Sequence, residues 1–122
     1  MLNYQEFLHH VKSHSTPEEC KNSPLPFALE IFQGKWKNHV LLEMCRHETV
    51  RFNQLRKFLP QITNTMLTTT LRELESSDLI NRIQYNEIPP HVEYSLSEKG
   101  KDLMPIYYEI YKWSCKHHKW ED

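Results

Sequence analysis

Apolar residues recur at helical spacing along most of this chain, and the stretch where they alternate instead lies between two helices. Residues 3–12 predict a first helix and residues 13–24 a linker, with Pro17, Pro24 and Pro26 as punctuation. Phe27, Ala28, Ile31 and Phe32 predict a short helix closed by Gly34, and Trp36, Val40, Leu41, Met44 and Cys45 predict another of about three turns. Thr49-Val50-Arg51-Phe52 predicts no more than one short edge strand. Phe52, Leu55, Phe58 and Leu59 then return to helical spacing until Pro60 stops them. Thr63 is an N-cap for a helix with Met66, Leu67, Leu71 and Leu74 on its dry side, ended by Ser76-Ser77-Asp78. Residues 79–85 and 92–96 predict two paired strands around a loop at 86–90. Ser97 predicts a further cap, although Gly100 so early in that helix weakens it. Leu103, Ile106, Tyr107, Ile110 and Trp113 carry a final helix whose start Pro105 shifts toward Met104.

Within residues 51–100 these elements follow the order of a winged helix-turn-helix. Pro60-Gln61-Ile62 separates two helices, the second with Leu67, Leu71 and Leu74 on one side and Asn64, Thr65, Thr68, Thr69 and Arg72 on the other. Such a helix anchors its dry side to the body and offers hydroxyl, amide and guanidinium groups to a DNA major groove. A merely solvated face would have the same residue types, and the hairpin favours the first interpretation. Pro89-Pro90 cannot continue a paired strand in its middle, so it belongs at a stiff projecting tip flanked by Arg82 and His91.

Composition narrows the class further. At 122 residues, 39% hydrophobic and 25% charged, the chain fits one globular domain that a partner subunit would help to bury. No apolar run approaches the roughly 20 residues of a membrane span, and the N-terminus lacks the basic and apolar segments of a secretion signal. A cytoplasmic protein is expected. The net charge of -1 does not itself favour nucleic acid, but residues 51–72 carry Arg51, Arg56, Lys57 and Arg72 with no acid among them. Cys20, Cys45 and Cys115 show no paired spacing, so neither a disulfide framework nor a thiolate zinc site is expected, and Cys45 is placed in the core. The pairs His9-His10 and His117-His118 point about 100° apart on a helix and cannot both ligate from one face, so no metal or other cofactor is expected. No nucleophile elbow, phosphate-cradling loop or zinc-protease motif occurs, and two glycines leave little room for a nucleotide loop. The chain is not expected to be an enzyme.

Four motifs now stand in order: Gly34-Lys35-Trp36, Arg51-Phe52-Asn53-Gln54-Leu55, residues 67–75 (LTTTLRELE) and residues 89–100 (PPHVEYSLSEKG). Together, over roughly residues 23 to 118, they closely resemble the HxlR-type family of bacterial transcriptional regulators, which is similar in architecture to the MarR group. The resemblance implies a mainly α fold with a small β wing, a winged helix-turn-helix with terminal dimerisation helices. It implies a homodimer on a double-stranded DNA operator, with repression as the family expectation. The chain departs from the family pattern at two informative places. Many relatives have a cysteine before proline thirteen residues ahead of the tryptophan, where this chain has Ser23-Pro24. His91 stands where an Arg or Lys is frequent at the wing, which predicts a wing contact that strengthens as pH falls.

Roles follow by position. Thr63, Asn64, Thr65, Thr68, Thr69 and Arg72 are candidates for groove contacts, and Lys35, Arg51, Arg82 and His91 for phosphate or minor-groove contacts. Cys20, beside Lys21 in a polar linker, is the candidate redox sensor, and a small-molecule effector is the other candidate signal. Leu103, Ile106, Tyr107, Ile110 and Trp113 are assigned to the dimer seam, because the last helix carries more aromatic surface than a lone helix leaves wet. The expected division is residues 1–24 as N-terminal helix and linker, 25–100 as the DNA-binding domain and 101–122 as the dimerisation helix. Trp36, Phe52, Leu55, Leu71, Leu74 and Tyr94 are expected in the core. The rival reading is a winged-helix module that binds protein and not specific DNA.

Overall fold

The computed structural model describes residues 3–14, 16, 18 and 23–120. The chain divides into two compact units, Met1–Gly34 and Lys35–Asp122. The first contains α1 (Tyr4–Ser13) and α2 (Pro24–Ile31). Asn3 caps α1 by accepting the Glu6 N–H at 2.8 Å, and Ser23 caps α2 by accepting the Leu25 N–H at 3.3 Å. Ser23 also lies 2.8 Å from His10 Nε2, so the serine found in place of the family cysteine joins the two helices. Gly34, at φ 96°, takes the left-handed conformation that ends this unit.

The second unit runs α3 (Lys37–Cys45), α4 (Phe52–Phe58), α5 (Asn64–Ser76), β1 (Ile80–Tyr85), β2 (His91–Leu96), α6 (Glu98–Lys101) and α7 (Met104–His117). Val40, Leu41 and Met44 from α3, Leu55 from α4, and Leu67, Leu71 and Leu74 from α5 form its core, closed by Leu79, Ile80, Leu96 and Leu103. Burial of such side chains, at about 1.5–3 kcal/mol each, is what holds three short helices around one centre. The hairpin pairs Ile80 with Leu96 and ends on Tyr85 and His91. The expected edge strand at Val50 is reduced to a single bridge to Tyr94, with N···O distances of 2.9 and 2.8 Å.

Several expectations are corrected at the level of single residues. Met66 is 38% exposed, and Thr70 takes its place in the core with its hydroxyl donating to the Met66 carbonyl at 2.7 Å. That bond satisfies the buried hydroxyl and lets threonine pack as a small apolar residue. Phe52 and Tyr94 are half-buried rather than core, and Cys45 is exposed at the end of α3. Gly100 does not weaken its helix idly: a Cβ there would collide with the Leu79 carbonyl oxygen. Glycine is what lets α6 lie against the turn that leads into the hairpin. Among the described residues no helix is long and apolar enough to cross a membrane.

Candidate nucleic-acid interface

Helix α5 is set by its ends and its period. Thr63, in extended conformation, accepts the Met66 N–H at 3.1 Å and so starts α5 one residue later. At the other end Asp78 adopts φ 59° and Lys99 Nζ donates to the Ser77 carbonyl at 2.9 Å, a cation where the helix dipole is negative. Ser97 caps α6 through the Gly100 N–H at 3.0 Å and donates its own proton to the Asp78 carbonyl at 2.5 Å. The turn between α5 and the hairpin is therefore held from both sides.

At about 100° per residue, the buried side of α5 is centred between Leu67 and Leu74, with Thr70 and Leu71 beside it. Thr65, Thr69 and Arg72, all exposed, then form the opposite crown. Asn64, Thr68 and Glu75 fall on one flank and Glu73 on the other. Glu73 is tied to Lys37 of α3 at 3.6 Å. On the remaining flank, Thr68 donates its hydroxyl proton to the Asn64 carbonyl at 2.8 Å. Of the residues expected to touch DNA, Thr65, Thr69 and Arg72 are thus brought onto one surface, whereas Thr63 is spent on capping.

Arg82 on β1 stands opposite Tyr94 and faces the same side as α5: Thr68, Arg72, Glu75 and Arg82 share a hollow of about 420 Å³ floored by Phe52, Leu71 and Tyr94. Arg51 is exposed at the start of α4, where its backbone N–H donates to Gln54 Oε1 at 2.8 Å. Lys35 Nζ lies over the ring of Trp36, 5.2 Å from its centre.

The wing tip differs from expectation. His91 stacks on Tyr85 with ring centres 4.8 Å apart, and its two nitrogens lie 3.5 Å from Glu87 and 3.4 Å from Glu93. The imidazole therefore faces two carboxylates of the hairpin itself. Ile88 is the residue that projects, at 101% exposure, beside Pro89-Pro90. Nothing in the residue types of the loop signalled that an isoleucine, not the histidine, would form the tip.

α7 separates into an inner and an outer face. Leu103, assigned to the seam, is 7% exposed and packs in the unit's own core, and Tyr107 is half-buried. Burial raises the Tyr107 phenol from 10.0 to about 12. Ile106, Ile110 and Trp113 are exposed at i, i+4, i+7 spacing, and Tyr108 and Tyr111 are exposed on a different side of the helix. Cys20, the expected redox sensor, lies outside the described residues. Cys115 is exposed on α7. Among the described residues no group of three His, Cys, Asp or Glu side chains could hold a metal ion.

Comparison with known proteins agrees with this geometry. The chain is 51% identical over 80 residues to an uncharacterized HTH-type transcriptional regulator of Methanothermobacter thermautotrophicus, an alignment covering 66% of this chain and 60% of that protein. It is 43% identical over 96 residues to YtcD of Bacillus subtilis, also an uncharacterized HTH-type transcriptional regulator, covering 79% of this chain and 75% of that one. The crystal structure of YtcD superimposes with a TM-score of 0.73 over 78% of this chain and 96% of its own. The oxidized form of the redox regulator HypR, 39% identical, does so with a TM-score of 0.69 over 80% of this chain and 100% of its own. Residues 31–122 match the HxlR-like helix-turn-helix model, and with the capped recognition helix and its hairpin they show that the chain belongs to that family of transcriptional regulators.

Proposed function

We propose that the chain is a sequence-specific, operator-binding repressor that acts in the cytoplasm as a homodimer, with α5 in the major groove and the β1–β2 hairpin beside it. The observation that carries this reading is the crown of Thr65, Thr69 and Arg72, exposed on the side of α5 opposite Leu67, Leu71 and Leu74. These side chains can donate to and accept from base edges, while the core fixes the angle at which they are presented. Arg51, Arg82 and Lys35 supply cations for the flanking backbone. The dimer reading rests on the apolar stripe Ile106, Ile110 and Trp113, three large side chains exposed on one side of α7 that a second copy would cover.

The signal we assign is chemical modification or a small ligand. One structural neighbour is a redox regulator. Here a cleft of about 580 Å³ between the end of α3 and the base of the hairpin has the exposed Cys45 on its wall, with His47, Lys101 and Met104. Cys20 remains the linker candidate for the same role.

The deciding experiment is a mobility shift of the intergenic DNA upstream of the chain's own gene, in excess nonspecific competitor. A retained, competitor-resistant shift supports the reading, and its absence together with intact folding favours a protein-binding module. Sedimentation at micromolar concentration should give a dimer. A clean monomer would contradict the seam on α7.

A further inference from the structure

Two arginines from different elements line one hollow. Arg72 comes from the recognition helix and Arg82 from the wing, and Thr68 and Glu75 complete the polar lining. Among the described residues no carboxylate holds either guanidinium in an ion pair, although Glu75 lies in the same hollow, three residues beyond Arg72. Thr68 has committed its hydroxyl proton to the Asn64 carbonyl, so the charged donors among the residues lining this hollow are the two guanidinium groups, with Tyr94 as the other lining residue that carries a donor. Two like charges converging on a concave surface make a seat for an anion, and the planar fork of arginine matches tetrahedral oxyanions.

We propose that the hollow between α5 and the hairpin seats one backbone phosphate of the operator, gripped jointly by Arg72 and Arg82, and that Glu75 limits the strength of that grip. The inference rests on the DNA-binding reading above. A helix in a major groove is walled by phosphates, and a hollow between helix and wing lies where the backbone ridge runs. Sharing one phosphate between two elements fixes the wing relative to the helix on DNA. It also moves Arg72 from base reading to positioning, leaving Thr65 and Thr69 as the crown residues that read bases. Glu75 brings a negative charge toward the phosphate and weakens the seat.

The test is ethylation interference on a duplex of about 30 base pairs that the wild-type protein selects from a random library, a length chosen to cover two half-sites one helical turn apart. One phosphate per half-site should block wild-type binding when ethylated. The same phosphate should cease to matter in both Arg72→Gln and Arg82→Gln. The double variant should lose little more affinity than either single one, because they share a partner. Its slope of log K against log salt should fall by about 0.9 per phosphate lost. Glu75→Gln should tighten binding severalfold in the wild-type background and by less when both arginines are absent, because the phosphate is then no longer held beside residue 75. All three side chains are exposed, and circular dichroism verifies that the variants fold. If the two arginine variants release different phosphates, or Glu75→Gln leaves affinity unchanged, the shared seat is wrong. If the folded wild-type protein selects no duplex at all, it is the DNA-binding reading that fails.

Discussion

The hydroxyl of Tyr107 donates to Asn38 Oδ1 at 2.6 Å and joins the terminal helix α7 to the first turn of α3. Folding holds this phenol protonated, with its ionisation raised from 10.0 to about 12 by burial. The group's contribution to stability is therefore complete below the unfolded value near 10 and is lost as pH rises toward 12. Tyr107→Phe should cost about 1 kcal/mol at neutral pH, the net worth of one hydrogen bond. Urea melts at increasing pH should show the wild-type and variant curves converging across that alkaline window. A constant gap would mean that the phenol is not held protonated by the fold.

Gly100→Ala sets two effects against each other. Alanine improves helix propensity by about 1 kcal/mol in an ordinary helix interior. Here its Cβ would meet the Leu79 backbone carbonyl, which cannot swing away as a side chain can. Overpacking of this kind costs about 1–3 kcal/mol, and the clash should win. A lowered urea midpoint at unchanged m-value is the expected outcome, and a stabilised variant would show that α6 does not lie against this turn.

The two hydroxyl caps should differ in cost. Thr63→Ala removes one bond at the start of α5 and should cost about 1 kcal/mol. Ser97→Ala removes both the Gly100 cap and the bond to the Asp78 carbonyl, so its thermal midpoint should fall further. Equal shifts would mean that the second of these bonds contributes nothing in solution.

Ile88 makes no demand on the fold. Ile88→Lys should leave stability within about 0.5 kcal/mol of wild type, as surface changes do. On the proposed DNA-binding reading it should tighten binding to duplexes of any sequence and steepen the salt dependence. His91→Lys places its cation among Glu87 and Glu93 and should gain less. A larger gain at residue 91 than at 88, measured by fluorescence anisotropy at fixed salt, would show that the tip turns on DNA.

What could be read along the chain was whatever neighbouring residues decide between themselves. The Thr63 and Ser97 caps, the stop before Pro60 and the placement of Leu67, Leu71 and Leu74 on the dry side of α5 depend on residues close to each other along the chain, and these are found, whereas Met66 is exposed. Thr70 escaped because a polar side chain can bury itself by bonding four residues back. The role of Gly100 escaped because its constraint comes from Leu79, far along the chain. Leu103 obeys the period of the outer face yet is claimed by the core, since α7 is still entering the body at that point. The hollow joins Arg72 to Arg82 across the turn after α5, and only the packing of hairpin on helix brings them together.

The loop over residues 86–90 carries Glu87 as its one charged residue, and Ile88 leads it outward. A tip without a cation displaces no counterions from a duplex, so it is invisible to a salt titration. If this tip touches DNA, it does so by shape and by exclusion of water, while Arg82 at the base of the hairpin carries its charge contact. Rising ionic strength would then strip the helix and its arginines from the backbone first, and sequence preference contributed by the tip would persist where most of the affinity has gone.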